Sequence, residues 1–61
     1  MRVCVLTADG QWWTISPSLT KDAESFERLW CETGVGDLIE TIDDGIFVQK
    51  CCITAVDVRN G

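Results

Sequence analysis

Four cysteines are the side chains best suited to chemistry in this chain of 61 residues, which contains no histidine. Cys4 and Cys31 stand alone in the sequence, whereas Cys51 and Cys52 are adjacent. Four thiolates can hold zinc tetrahedrally, but structural zinc sites usually take ligands in pairs separated by two residues. The spacing therefore favours small buried hydrophobes over metal ligands, and we expect neither a metal nor a cofactor.

Enzymatic catalysis is poorly supported by this set of residues. The chain has neither histidine nor tyrosine to serve as a general acid or base. A cysteine nucleophile needs a nearby cation or a helix amino terminus. Lys50 precedes Cys51 and could lower a thiol pKa slightly, while Cys31 falls near the carboxyl end of a predicted helix. We expect no enzyme, and a cysteine-based metal or redox module stays as one alternative.

Carboxylates dominate the charge of the chain, with ten acidic and five basic residues and a net charge of −5. Arg28 is the only cation in the segment from position 22 to position 44, whose acidic residues are Asp22, Glu24, Glu27, Glu32, Asp37, Glu40, Asp43 and Asp44. One interpretation is a solvated face that keeps a small protein in solution. The other is a surface that docks on a basic partner by charge complementarity.

Direct binding to nucleic acid or to an anionic membrane is disfavoured, because the basic residues are scattered along the sequence. The amino-terminal segment lacks the long apolar region and cleavage site of a signal peptide. No apolar stretch approaches transmembrane length. We therefore expect a cytoplasmic protein with reduced thiols, in the host cytoplasm if a virus encodes it.

Trp12 and Trp13 are neighbours in a predicted strand, so their side chains point to opposite faces of the sheet. One indole can enter the core against a helix, which leaves the other facing solvent or a partner. Exposed tryptophan on an apolar sheet face is typical of interfaces. The alternative is a tightly curled sheet that buries both faces around its own core. The predicted partner-binding residues are Trp12, Trp13, Glu24, Glu27, Glu32, Glu40, Asp43 and Asp44.

Trp12 and Trp13 belong to the first of two predicted β-hairpins. Asp9-Gly10 lies between apolar runs and suits a two-residue type I′ loop. That loop would place Leu6 opposite Trp13, and Trp12 would then share a face with Val5. Asp44-Gly45 predicts a second hairpin of the same kind.

In the second hairpin we expect Ile42 opposite Phe47 and Thr41 opposite Val48. The segment after Val48 is too long for one ideal strand, which predicts a bulge or tight bend near Lys50. The final strand is then free to return and pair with the first strand.

Between the hairpins, apolar residues such as Ala23, Phe26 and Trp30 recur at helical spacing. Ser18 or Thr20 would cap the amino end of this helix, and Gly34 would take a left-handed conformation past its carboxyl end. The predicted fold is therefore a single α+β domain over residues 1–61, a β-hairpin, one amphipathic helix, a second β-hairpin and a bent final strand in a small antiparallel sheet.

The function hypotheses follow from size, charge and surplus apolar surface. The first is a small acidic non-enzymatic protein that binds and inhibits or modulates a larger, basic macromolecular partner. In size, charge and layout the chain is similar to short acidic proteins of bacteriophages and other mobile elements, which implies a host target such as a defence complex. The alternative is a homodimer or higher oligomer that binds a small ligand, such as a nucleotide, between subunits.

Overall fold

Residues 1–59 are described by the computed structural model, and they contain one α-helix and five strands. The strands are β1 (Arg2–Thr7), β2 (Trp12–Thr14), β3 (Leu38–Glu40), β4 (Phe47–Gln49) and β5 (Ile53–Arg59). The helix α1 (Ala23–Glu32) connects β2 to β3. Short 3₁₀ turns at Pro17–Leu19 and Lys50–Cys52 precede α1 and β5. The α+β class and the order of elements predicted from the sequence are confirmed.

The strands form two antiparallel sheets, one with the order β2-β1-β5 and one that pairs β3 with β4. A single bridge between Ile15 and Thr41 connects the sheets at the ends of β2 and β3. The strands therefore follow the path β5-β1-β2-β3-β4, with β5 and β4 as the outermost strands. The expected return of the last strand to the first is confirmed by the β1-β5 pairing.

The register of the first hairpin differs from the expectation by one residue. Leu6 lies opposite Trp12, and Val5 lies opposite Trp13. The expected pairing of Leu6 with Trp13 is therefore wrong, and so are the faces derived from it. Trp13 shares the core face with Val5, while Trp12 shares the outer face with Leu6, because a shift of one residue turns a strand over.

The conformation of the β1-β2 loop explains this shift. The Gly10 amide donates to the Thr7 carbonyl at 2.9 Å, and the Thr7 amide donates to the Gln11 carbonyl at 3.0 Å. Only Gly10 in this loop has a positive φ, at 85°. A type I′ loop would need positive φ at Asp9 as well. The loop instead has three residues, with glycine in the left-handed position after a turn.

The second hairpin is displaced by two residues from the expectation. Ile39 lies opposite Val48, so the expected pairs Thr41 with Val48 and Ile42 with Phe47 are wrong. The turn closes with a hydrogen bond of 3.1 Å from the Ile46 amide to the Asp43 carbonyl, and Gly45 takes a φ of 77°. A shift of two residues keeps every side chain on its expected face.

Helix α1 begins at an aspartate rather than at the expected serine or threonine. The Asp22 carboxylate accepts a hydrogen bond of 2.7 Å from the Ser25 amide, which is the geometry of an N-cap. Ser18 lies in the preceding 3₁₀ turn, and Thr20 is buried and donates to the Ser16 carbonyl at 3.3 Å. The capping expectation is therefore wrong, because the helix begins later in the chain and Asp22 takes the N-cap position.

The carboxyl end of α1 also differs from the expectation. Thr33 donates its hydroxyl to the Leu29 carbonyl at 2.6 Å. Gly34 does not take a left-handed φ, and its amide donates to the Asp37 carboxylate at 3.0 Å. The expected left-handed cap is therefore absent at Gly34, because side-chain oxygens satisfy the backbone there instead.

The expected bend near Lys50 is confirmed as the 3₁₀ turn Lys50–Cys52. From this turn Lys50 donates to the carbonyls of Trp30 and Thr33 at the end of α1, the second at 2.9 Å. Cations favour the carboxyl end of a helix because of the helix dipole. Lys50 therefore ties the turn before β5 to the end of the helix.

The core is small and lies inside the curl of the strands. Its buried members are Val3, Val5, Ile15, Ile39 and Val48. Phe26, Leu29 and Trp30 pack against this core from α1, and Trp13 packs against it from β2. No helix within residues 1–59 is long and apolar enough to cross a membrane.

Candidate functional site

The two tryptophans of β2 have different environments. Trp13 is half-buried against the core, and its Nε1 donates to the Thr7 hydroxyl at 3.1 Å. Trp12 lies on the outer face and is 51% exposed. Trp12 is therefore the indole that is available to a partner, which the expected register had not assigned.

Trp12 is one of three exposed side chains that we define as the outer patch, together with Ile42 and Phe47. Ile42 and Phe47 are 57% and 50% exposed. The Ile42 amide donates to the Thr14 carbonyl at 2.9 Å, so Ile42 lies beside Thr14, two residues along β2 from Trp12. Phe47 lies opposite Glu40 in the β3-β4 pair, on the face away from the core.

The turn between β3 and β4 forms a concave site of about 330 Å³, which we call the turn pocket. Its acidic lining residues are Glu40, Asp43 and Asp44, and its apolar ones include Ile42 and Phe47. The backbone of this turn is held by Thr41, whose buried hydroxyl donates to the Ile46 carbonyl at 2.9 Å. Three predicted partner-binding acids are thus brought together beside the outer patch.

The other three predicted acids lie on helix α1. Glu24 and Glu27 line a shallow, separate depression on the helix with Arg28 and Cys31. Glu32 is the last residue of the helix and is exposed. The predicted acidic surface is therefore divided between the β3-β4 turn and the outer side of α1.

A second concave site lies between the β1-β2 loop and β4, and we call it the seam pocket. It has a volume of about 390 Å³. Trp13, Phe47, Val48 and Cys52 contribute to its walls, and Asp9 and Gln49 are polar members of its lining. Phe47 lines both the seam pocket and the turn pocket, so the two sites are adjacent.

Asp9 and Gln49 were not predicted as site residues. Asp9 belongs to the Asp-Gly pair, which predicts a turn residue only. Gln49 lies on β4, and nothing in the sequence pairs it with the first loop. The signal that could have found Asp9 is its position two residues after Thr7, where its carboxylate can accept from that hydroxyl.

The carboxyl group of Asp9 is held in its ionised form. The Thr7 hydroxyl and the Gln11 amide both donate to it, the second at 3.2 Å, and these hydrogen bonds lower its pKa below the ordinary value. Hydrogen bonds to a charged form favour that form. The seam pocket therefore carries a negative charge at neutral pH.

The cysteines lie in separate elements. Cys4 is in β1 with its Sγ 3.6 Å from the Thr14 hydroxyl, Cys31 is exposed on α1, and Cys51 and Cys52 are in the last 3₁₀ turn. Within residues 1–59 no three cysteine, aspartate or glutamate side chains are grouped to hold a metal.

The expected activation of a thiol by Lys50 is not found at Cys52. Interaction with the neighbouring Cys51 thiol raises the pKa of Cys52 instead. The Lys50 ammonium is directed at the carbonyls of Trp30 and Thr33. It therefore serves the helix end and does not activate Cys52.

The outermost strand β5 leaves part of the core face uncovered. Val56 and Val58 lie opposite Val5 and Val3, which are fully buried. Val56 and Val58 are nevertheless 40% and 48% exposed. The packing that covers β1 therefore ends before β5.

The chemistry available at these sites is recognition of positively charged or hydrogen-bond-donating groups. The seam pocket combines one carboxylate with Phe47, and the turn pocket combines three carboxylates with the same residue. Carboxylates attract cations, and aromatic faces attract them as well.

No protein-family model, curated protein or solved structure matches this chain.

Proposed function

We propose that this protein is a small non-enzymatic interaction protein that binds a larger basic macromolecule through the outer patch and the turn pocket. The observation that carries the proposal is that the exposed side chains of Ile42 and Phe47 line one pocket with three carboxylates. Occupation of a basic surface excludes other anionic ligands from it. The expected consequence is inhibition or modulation of the partner.

The apolar side chains supply the anchor in this proposal. Trp12 and Phe47 are each about half exposed on the outer face. Aromatic side chains that become fully buried in a complex carry much of the binding free energy of protein interfaces. The partner therefore has to present an apolar surface next to its basic groups.

The carboxylates of Glu40, Asp43 and Asp44 supply the charge complementarity. A lysine or arginine side chain has an aliphatic stem and a cationic head. Its stem fits against Phe47 while its head meets the acids of the turn. Glu24, Glu27 and Glu32 are proposed to add longer-range attraction from α1. We place this binding in the cytoplasm, where free thiols persist.

The test is capture of a partner, its identification by mass spectrometry, and measurement of binding to the purified partner at two salt concentrations. We expect a basic partner whose affinity falls as salt rises. Asp43→Lys with Asp44→Lys should weaken binding by roughly tenfold or more, about 1.4 kcal/mol. Trp12→Ala should weaken it without changing the salt dependence.

The matched control is Glu24→Lys with Glu27→Lys. Each double substitution moves the net charge from −5 to −1, because each acid-to-lysine change adds two positive charges. A loss of affinity that is equal for both double variants would show that net charge acts alone and would refute the turn pocket as the binding site. An affinity independent of salt would refute a basic partner.

Self-association through β5 is the second candidate function. The exposed core-face valines Val56 and Val58 favour it, because they lie on an outermost strand whose outer edge is unpaired within residues 1–59. Sedimentation velocity over a range of concentrations tests this. A dimer that Val58→Lys converts to a monomer would support it, and a monomer at all concentrations would exclude it.

A further inference from the structure

The polar side chains that line the seam pocket include Thr7, Asp9 and Gln49, and the Thr7 hydroxyl is already hydrogen-bonded within the loop. The Asp9 oxygen that accepts from Thr7 and Gln11 leaves the second carboxylate oxygen without a partner within residues 1–59. The Trp13 Nε1 proton is already donated to the Thr7 hydroxyl. The indole therefore offers its ring to a ligand rather than a hydrogen-bond donor. The second carboxylate oxygen of Asp9 offers a hydrogen-bond acceptor.

Gln49 adds a second acceptor with a defined orientation. Its Nε2 donates to the Gly36 carbonyl at 3.0 Å, and its Oε1 accepts from the Cys52 thiol at 3.8 Å, which fixes the amide and leaves Oε1 one further lone pair. Cys52 is itself part of the pocket wall. The spare hydrogen-bonding capacity of Asp9 and Gln49 thus calls for a ligand that donates.

The walls of the seam pocket select the shape of that donor. Trp13 and Phe47 are aromatic, and Val48 closes the pocket with an apolar surface. A guanidinium group is planar, carries several donors in one plane, stacks on aromatic rings and is weakly hydrated. An ammonium group is compact and strongly hydrated, so it loses more on entering an apolar pocket.

We infer that the seam pocket binds the guanidinium of an arginine side chain carried by the basic partner, with Asp9 and Gln49 as acceptors and Trp13 and Phe47 as stacking surfaces. This inference rests on the proposed function and adds a residue preference to it. Phe47 also lines the turn pocket, so an arginine in the seam pocket adjoins the acids that meet other cations.

The test is an NMR titration of the full chain with blocked peptides that differ only at a central arginine, lysine or citrulline. We expect the arginine peptide to shift the Trp13 Nε1 resonance and to bind on the order of tenfold more tightly than the lysine peptide. Citrulline has the same shape without the charge and should bind weakest. Equal affinities for arginine and lysine would overturn the inference.

Asp9→Asn tests the acceptor, because it removes the charge and keeps an oxygen for the loop. It should weaken the arginine peptide on the order of tenfold. Glu27→Gln removes the same charge from α1, outside the seam pocket, and should weaken the arginine peptide much less than Asp9→Asn does. If Asp9→Asn unfolds the loop, Phe47→Leu replaces it, because it removes a stacking ring and keeps an apolar side chain, and it should also weaken arginine binding. Equal effects of Asp9→Asn and Glu27→Gln, or unchanged arginine binding by Phe47→Leu, would contradict the site.

Free arginine amide distinguishes the source of the guanidinium. Weaker binding of the free compound than of the peptide supports a partner protein, whereas tighter binding would assign the pocket to a small metabolite and overturn the partner assignment. The proposed function would fail independently of the seam pocket if the double substitution Asp43→Lys with Asp44→Lys left the captured partner bound. Retained binding to that partner without arginine preference would refute the seam pocket alone.

Discussion

The ammonium of Lys50 lies over the indole ring of Trp30, 4.7 Å from the ring centroid, and donates to the Trp30 carbonyl as well. One side chain thereby contacts both the ring and the backbone of the same residue. Its third contact is the Thr33 carbonyl. Because Lys50 begins the turn before β5, this contact fixes the helix to the segment that leads into the three-stranded sheet.

Lys50→Met tests the contribution of this contact to stability. Methionine keeps an apolar stem and removes the charged donor. Hydrogen bonds from charged groups are worth about 1.5–3 kcal/mol, so the free energy of unfolding should fall by about that amount. Urea denaturation followed by circular dichroism measures it. Lys21→Met, at an exposed lysine before α1, should change little, and an equal loss in both variants would contradict a specific role for Lys50.

Ile15 and Ile42 allow the same substitution to be compared inside and outside the core. Ile15 is 1% exposed and forms the bridge to Thr41, whereas Ile42 belongs to the outer patch. Ile15→Ala should cost about 2–5 kcal/mol, and Ile42→Ala should stay within about 0.5 kcal/mol. If Ile15→Ala does not fold, Ile15→Val should still cost about 0.5–1.5 kcal/mol. Similar losses at both positions would place Ile15 outside the core.

Gly10 is predicted to be required for its backbone conformation alone. An added Cβ at Gly10 would meet no atom within 4 Å, but the φ of 85° is unfavourable for other residues. Gly10→Ala should therefore cost about 1–2 kcal/mol. At Gly36, which has no positive φ, a Cβ would lie 3.9 Å from the Gln49 amide nitrogen, so Gly36→Ala should be neutral or stabilising. Thermal unfolding of both variants gives the comparison, and an unaffected Gly10→Ala would refute the loop assignment.

The N-cap hydrogen bond of Asp22 predicts that the folded protein loses stability in acid. Hydrogen bonds from the Ser25 amide and hydroxyl lower the pKa of Asp22 from its ordinary value of 3.8. Because the folded pKa is the lower one, the stabilisation is complete above the ordinary value and is lost as the pH falls through the folded value. Asp22→Ala should lower the Tm near neutral pH, and its difference from the unsubstituted protein should shrink in strong acid. Glu27→Ala is the control, and a difference independent of pH would contradict the capping role.

The helix and the two hairpins could be predicted because each depends on a local pattern. Phe26 and Trp30 recur at helical spacing, and both Asp-Gly pairs lie between apolar runs. The register could not be predicted from the Asp-Gly signal, because Gly10 serves a two-residue loop and a three-residue loop equally well. The core decided the outcome, since only the observed register places Trp13 beside Val5.

The candidate site was predictable in part for the same reason. Asp43 and Asp44 were found because they stand together in the sequence, next to the turn that displays them. The seam pocket joins Asp9 to Gln49, and that approach depends on how the whole strand path curls. The division of the acids between α1 and the β3-β4 turn likewise depends on tertiary packing.

The β1-β2 loop allows a change of length that leaves the sheet as it is. Deleting Ala8 would leave Asp9-Gly10 as a two-residue loop between Thr7 and Gln11, and the pairs Leu6 with Trp12 and Val5 with Trp13 would persist. Trp12 would remain the outward indole. The two rings exchange sides only if the strands slip past each other by one residue, so related chains can differ in the length of this loop and keep the same exposed tryptophan.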